Sequence, residues 1–355
     1  MATHDLTVRG GGIFGLSIAW AAVLRGARVR LIETARIGAG ASGGVVGALA
    51  PHVPEQWNEK KAFQLQSLLM AQDWWHAVEA ASGLASGYAR LGRLQPLADA
   101  RAVEIAQARA LGAQALWQGR ADWQVVAASG AAWEPVSSSG WLVRDSLSAR
   151  VHPQLAGAAL LAAIKARGGE VIVGADGADP GPDSGLDSGP VVWATGVAGL
   201  AALSADLGRS MGGAVKGQGL VLDYAAARLP QIFSDGLHIV PHVDGTVAVG
   251  STSEREWEAP DTTDAQLDAL HDRAVAACPV LAGAKVVQRW AGLRPRARSR
   301  APMLGEWPGR PGHFIANGGF KIGFGMAPMV AAVMVDLVLD GRDAVPPAFR
   351  VGASL

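Results

Sequence analysis

The chain has 355 residues, half of them hydrophobic and 17 % charged, which excludes disorder as the main state and suits two interlocked domains or one large α/β unit. Lys+Arg and Asp+Glu both number 31, so the net charge is zero, and a general nucleic-acid binder, which needs a basic excess, is not expected. One cysteine excludes an internal disulfide framework and any multi-cysteine metal site, so no metal is expected and the reducing cytoplasm is the natural compartment.

Leu6-Thr7-Val8 is a short apolar strand running into Gly10-Gly11-Gly12-Ile13-Phe14-Gly15. A helix is predicted over 14–25, closed by Gly26, and alternation over 27–33 predicts a strand ending at Glu33. This is one βαβ unit, and a parallel sheet follows from it. Residues 36–50 are rich in Gly, Ala and Ser. A helix follows over 60–82, with Trp74 and Trp75 read as core, then a strand over 88–97 and a helix over 102–111. Further on come a helix over 153–166, a strand over 170–173, a turn or loose loop over 174–190 and an apolar strand over 191–196. Residues 215–252 alternate like two or three antiparallel strands, with Asp244-Gly245 as a hairpin turn. A helix over 264–277, a strand over 312–316 and a helix over 328–339 complete the pattern. Pro328 reads as lying near that helix's first turn, where its missing N–H costs nothing. No repeat is visible. The apolar runs 13–24 and 326–339 read as buried helices: the first lacks a charged leader, and the second is short and holds Asp336. No targeting or membrane segment is expected.

Gly10, Gly12 and Gly15 give G-x-G-x-x-G between a strand and a helix. The first glycine makes the turn, the second lets backbone reach a pyrophosphate, and the third lets the helix pack on the strand. Glu33 stands 23 positions after Gly10, near the offset for an acid that bonds a ribose hydroxyl. The motif binds a dinucleotide. Its place in the sequence, and a second small-residue loop at Gly38-Ala39-Gly40-Ala41-Ser42-Gly43-Gly44, favour FAD over NAD.

These residues, with Gly47-Ala48-Leu49-Ala50-Pro51, resemble the D-amino-acid oxidase (DAO) family of flavoproteins, most closely its glycine oxidase and sarcosine oxidase-like branch. Further matches are Val191 to Gly196, Lys216-Gly217-Gln218, Val240-Pro241 with Gly250-Ser251-Thr252, Trp290 to Pro295 and Gly319 to Pro328. The blocks keep family order over nearly the whole chain, although 85–150 carries little of the resemblance. The fold implied is α/β: a discontinuous Rossmann-like FAD-binding domain over 1–55, 145–212 and 285–355, with an inserted antiparallel-sheet substrate domain over 56–144 and 213–284. The cofactor contacts implied are Gly10, Gly12, Ile13, Phe14, Gly15, Glu33, Thr34, Ala41, Ser42, Gly43, Gly47, Ala48, Leu49, Val173, Ala194, Thr195, Gly196, Gly292, Arg294, Gly319, Phe320, Lys321, Ile322 and Gly323.

The activity implied is oxidation of a C–N bond in a small amino acid or secondary amine by hydride transfer to FAD, with O2 as acceptor. The flavin carries the hard step, so the protein mainly orients the substrate. A guanidinium suits a carboxylate because its planar fork grips two oxygens. Arg294 matches the family's carboxylate-binding position. Lys321 stands where glycine-oxidase relatives usually carry Arg, and reads either as a second carboxylate contact or as a surface or backbone-satisfying lysine. A helix N-terminus at 323–326 suits the anionic pyrimidine end of a reduced flavin. His238 stands where the family often has a Tyr that meets the substrate. These three residues form the candidate catalytic set. His52 is read as a pocket-wall or structural residue. Gly44 and the isolated Cys278 offer no attachment point, so the FAD is expected to be non-covalent. An amino-acid dehydrogenase feeding a quinone or carrier is the first alternative. An oxidase-like domain in tRNA modification and a non-catalytic flavin module are the others. The sequence leaves a homo-oligomer open.

Overall fold

Two sheets organise the chain, and the computed structural model describes residues 4–174, 187 and 189–355. The loop expected over 174–190 lies almost wholly outside the described residues.

The first sheet is built around Leu6–Arg9, whose four residues are all buried. Val29–Glu33 and Val191–Trp193 pair with it on either side, both parallel. Glu170–Val173 and His313–Asn317 extend the parallel order outward, and Met303–Glu306 closes one edge antiparallel. This is the predicted βαβ logic carried to six strands.

The helices are α1 (Ile13–Leu24), α2 (Glu59–Ser82), α3 (Ala100–Trp117), α4 (Pro153–Ala166), α5 (Gly196–Asp206), α6 (Ala265–Ala277) and α7 (Gly323–Asp340). Helix α1 is apolar almost all round, and such a helix must be covered on every side. It packs against α4 and α7, and α2 lies across the same pair. Asn58 caps α2 by accepting from the Lys61 N–H, and Gly83 ends it in the left-handed conformation. Trp75 is fully buried and Trp74 packs beside it, as read. By length and composition α7 could cross a membrane, but more than half of it is buried.

The second sheet has eight strands. Its order is Lys285–Ala297, Gly212–Asp223, Thr246–Gly250, Leu237–Pro241, Gln231–Ser234, Arg93–Pro96, Trp141–Asp145 and Trp123–Ala127. All neighbours are antiparallel except Gln231–Ser234 with Arg93–Pro96. Helix α6 covers one face, where Leu267, Leu270 and Ala274 meet Leu220, Leu222, Ile239 and Val249. The fold is the expected pairing of a Rossmann-like layer with an antiparallel sheet.

Several elements differ from expectation. The 215–252 region holds four strands, and its Asp244-Gly245 turn is present with Gly245 at φ +84°. The 88–97 strand shrinks to Arg93–Pro96, and the 102–111 helix lengthens to Ala100–Trp117, capped by Asp99. Strands Trp123–Ala127 and Trp141–Asp145 carry exposed and buried residues without strict alternation, so the sequence hid them. Lys285–Ala297 is a partly exposed edge strand of 13 residues, and its unmatched Val287, opposite Val221/Leu222 of the partner, breaks the pairing register. It pairs into the second sheet, whereas the division read from sequence gives 285–355 to the cofactor domain. Helix α7 starts at Gly323, so Pro328 lies inside it rather than at its first turn. Pro328 has no N–H for the Phe324 carbonyl. The next amide, Met329 N–H, donates to Ser67 Oγ of α2 at 3.3 Å. That contact ties α2 to the break.

Candidate active site

The carboxyl ends of three parallel strands open into one crevice. Arg9 leads to Gly10, Trp193 to Ala194, and Asn317 to Gly318, and these residues border a cavity of about 1180 Å³. In open parallel sheets this is where ligands bind. The loops touch there because side chains are missing. Gly10 has φ +106°, and a Cβ on it would lie 2.4 Å from the Ala194 carbonyl oxygen. A Cβ on Gly15 would lie 1.9 Å from the Gly10 oxygen. Gly15 therefore packs helix on strand and does not face the cavity.

Gly12 is different. The nearest atom to a Cβ there is Ser42 Oγ at 3.2 Å, and nothing else lies within 4 Å. The space above it is the cavity. Helix α1 begins with no side-chain cap and no acid in its first turn. Its N-terminal amides and positive dipole end are therefore directed at an anion site. Ser42 Oγ accepts from the Ile13 N–H at 2.9 Å, which brings the second small-residue loop onto the helix start. Glu33 Oε2 accepts from the Gly11 N–H at 2.6 Å and Oε1 from the Ala35 N–H at 2.9 Å. The carboxylate braces the glycine loop and also borders the cavity, where its remaining lone pairs suit ribose hydroxyls. An open space over a bare glycine, a helix start without a side-chain cap and a carboxylate suited to ribose hydroxyls together fit FAD.

The far end of the cavity is formed by the second sheet and by the start of α7. Helix α7 also begins without a side-chain cap, and Gly323 and Phe324 line the cavity. Trp290, Gly292, Arg294, Phe320, Lys321 and His238 complete this end. Arg294 is 7 % exposed. Its Nη1 donates to the Thr252 carbonyl at 3.2 Å, and its guanidinium lies 5.9 Å from the Trp290 ring centre. Among the described residues it forms no salt bridge. Burial lowers it to about 10, against the pull of Glu254. Gly217 makes the slot for it: a Cβ there would fall 1.8 Å from Nη1. Burial, then the field of Arg294, lowers Lys321 to about 8. His238 pairs in register with Phe233 and Gly250, and its ring lies 4.7 Å from that of Phe233. Burial, then Arg93 and Lys321, push it down to about 3, so the imidazole is neutral. Its Nδ1 is buried without a partner.

The cavity also takes in Ile13, Phe14, Thr34, Ala41, Ala48, Thr195, Gly196 and Gly319 from the sequence reading. Gly43 borders an adjoining cavity of about 410 Å³ instead. Gly47, Leu49, Val173 and Ile322 lie outside the lining. A Cβ on Gly47 would fall 1.7 Å from the Val151 oxygen, and Leu49 is fully buried, so both pack the loop. Val173 pairs beside Glu33, and Ile322 immediately precedes α7. His52 is structural: its amide and ring both meet Gln64 Oε1. Cys278 is buried in the α6 cluster. Sequence reasoning missed Arg36, Trp290 and Gln218 as lining. Arg36 follows the ribose acid by three positions, and that spacing was the available signal. No group of three or more His, Cys, Asp and Glu suited to a metal occurs among the described residues.

Residues 5–337 match the DAO family, described as FAD dependent oxidoreductase. The chain belongs to that family, and its cofactor is FAD. A glycine oxidase of Pseudomonas putida is 35 % identical over 154 residues, 41 % of this chain and 42 % of that protein. The bifunctional protein ThiO/ThiG of Nostoc sp. is 27 % identical over 359 residues, 96 % of this chain and 53 % of that protein. These matches thus span about half or less of the curated relatives. The crystal structure of glycine oxidase from Geobacillus kaustophilus superposes with a TM-score of 0.81 at 22 % identity, over 99 % of both chains, and so shares the fold.

Gly12→Val tests the cradle. The protein should fold by circular dichroism but purify colourless, because the side chain fills the pyrophosphate's approach. Acid precipitation of the wild type should release all flavin into solution. A yellow Gly12→Val protein, or flavin held in the wild-type pellet, contradicts this account.

Proposed function

We propose that the chain oxidises the C–N bond of a small amino acid, or of a secondary amine bearing a carboxylate, with O2 as the electron acceptor. The observation that carries this is Arg294, a buried guanidinium bordering the cavity with no ion-pair partner among the described residues. Leaving such a charge unpaired in low dielectric is costly unless a ligand supplies the anion. A carboxylate matches its fork in two-point contact.

FAD supplies the hydride acceptor when bound. The chain's own residues orient and shield. Arg294 grips the carboxylate, with Lys321 adding a second positive charge. His238, kept neutral, offers its ring nitrogens to the substrate's amine. The α7 N-terminus presents uncapped amides to negative charge developing at the cavity's flavin end. The substrate gives up a hydride and a proton to become an imine. O2 takes the two electrons and two protons to become H2O2, and water hydrolyses the imine to an oxo acid with release of ammonia, or of a primary amine from a secondary-amine substrate. The single buried cysteine suits a reducing cytoplasmic setting. A peroxide-release screen against small amines and D- and L-amino acids tests the activity.

Arg294→Ala should lower kcat/KM by roughly 30- to 4000-fold, the equivalent of about 2–5 kcal/mol for stranding a desolvated carboxylate. FAD content should stay normal, and Arg294→Lys should recover only part. Unchanged kinetics in Arg294→Ala contradict the anchor.

The charge on Lys321 sets a pH dependence. Held at about 8, the ammonium is charged below that pH and neutral above it, while Arg294 at about 10 stays charged. Acetate affinity, read from flavin absorbance, should fall as pH rises through about 8. Lys321→Met should remove that step. The same step in the variant would assign it elsewhere.

A further inference from the structure

Behind Arg294 lies a buried polar network that substrate binding does not use directly. Lys216, Gln218 and Glu254 are 2 %, 0 % and 6 % exposed. The Glu254 carboxylate accepts from Gln218 Nε2 at 3.1 Å and from the Thr252 hydroxyl, and pairs with Lys216 Nζ at 3.4 Å. Gln218 also donates to Asp264 Oδ1 at 2.8 Å and accepts from the Asp264 N–H at 2.9 Å. Lys216 reaches Asp264 Oδ2 at 3.4 Å. The backbones of Lys216 and Glu254 exchange hydrogen bonds of 3.0 and 2.9 Å. The Thr252 N–H donates to the Gln218 carbonyl at 3.2 Å, and the Gln218 N–H to Thr252 Oγ1 at 2.8 Å.

Both ends of segment 251–264 are thus stitched to two residues of one strand. Ser251, Pro260, Asp261 and Thr263 of that segment line the cavity. Strand alternation puts Lys216 and Gln218 on one face and Gly217, with its slot for Arg294, on the other. The two faces meet at Thr252. Its carbonyl receives Arg294 Nη1, while its hydroxyl donates to Glu254. Burying a carboxylate is a poor way to gain stability, because desolvation offsets most of the pairing energy. Lys216 pairs with this carboxylate, whose field also favours the charged form of Arg294.

We propose that Glu254 is a positioning residue for the substrate anchor. Its carboxylate fixes Thr252, and Thr252 in turn sets the direction of Arg294 and holds the cavity wall at 251–264. The inference rests on the carboxylate reading of Arg294.

The test is acetate binding to the FAD-loaded enzyme, read by flavin absorbance, with Arg294→Ala as reference. Glu254→Gln should keep FAD and weaken acetate by roughly tenfold, the scale of one hydrogen bond. Removing a negative charge near an anion site would otherwise tighten acetate, so unchanged or tighter binding overturns the proposal. The double variant Lys216→Met, Glu254→Gln removes both charges. Its thermal stability should recover while acetate affinity stays low. Recovery of affinity together with stability would show a merely structural role and overturn the proposal. Should Glu254→Gln fail to fold, Thr252→Val reads the same link: weaker acetate supports it and unchanged acetate overturns it. If Arg294→Ala binds acetate like wild type, the anchor reading itself falls, and this inference with it. Loss in Arg294→Ala without loss in Glu254→Gln overturns this inference alone.

Discussion

The site depends on backbone meeting backbone where three parallel strands end. Gly10 approaches the Ala194 carbonyl so closely that no side chain fits, and Gly15 seats α1 against Gly10. Those two contacts leave the first turn of α1 open above Gly12. Everything the cofactor needs at its phosphate end follows from that opening: free amides, the dipole, and Glu33 bracing the loop from the neighbouring strand. The glycines weaken local structure, and the surrounding apolar helices α1, α4 and α7 hold them in place.

The substrate end obeys a different physics. Its floor is an antiparallel sheet, and the decisive groups are cations held away from water. Arg294 reaches the cavity through the gap over Gly217, and Lys321 arrives from the α7 side. Among the described residues neither forms a salt bridge. Glu254, a buried carboxylate nearby, is paired with Lys216. On the reading proposed above, a small anion would balance these cations, and His238, pushed down by burial and so neutral, adds polarity without adding charge.

Much of this was legible in the sequence because it rests on short-range signals. The glycine spacing, the strand-to-helix context and the acid at Glu33 fix local backbone geometry, and the structure places them as read. The order of the family blocks carried the family and the fold. What stayed hidden depends on long-range pairing. Lys285–Ala297 is half exposed at a sheet edge, so its hydrophobic pattern does not alternate. Trp290 and Gln218 become lining residues only once that strand pairs with Gly212–Asp223. Pro328 misled on the start of α7, because a proline inside a helix is tolerated here: Ser67 of α2 takes up the amide displaced next to it. The Glu254 network joins residues some 40 positions apart in sequence, and no local pattern announces it.

On the function proposed, this cavity selects an amine by the carboxylate beside it. The most direct measurement is anaerobic flavin bleaching by small amino acids, each compared with the amine left when its carboxylate is removed. The account predicts rapid bleaching by at least one amino acid and little or none by its decarboxylated partner. Equal bleaching by both members of such a pair would contradict it.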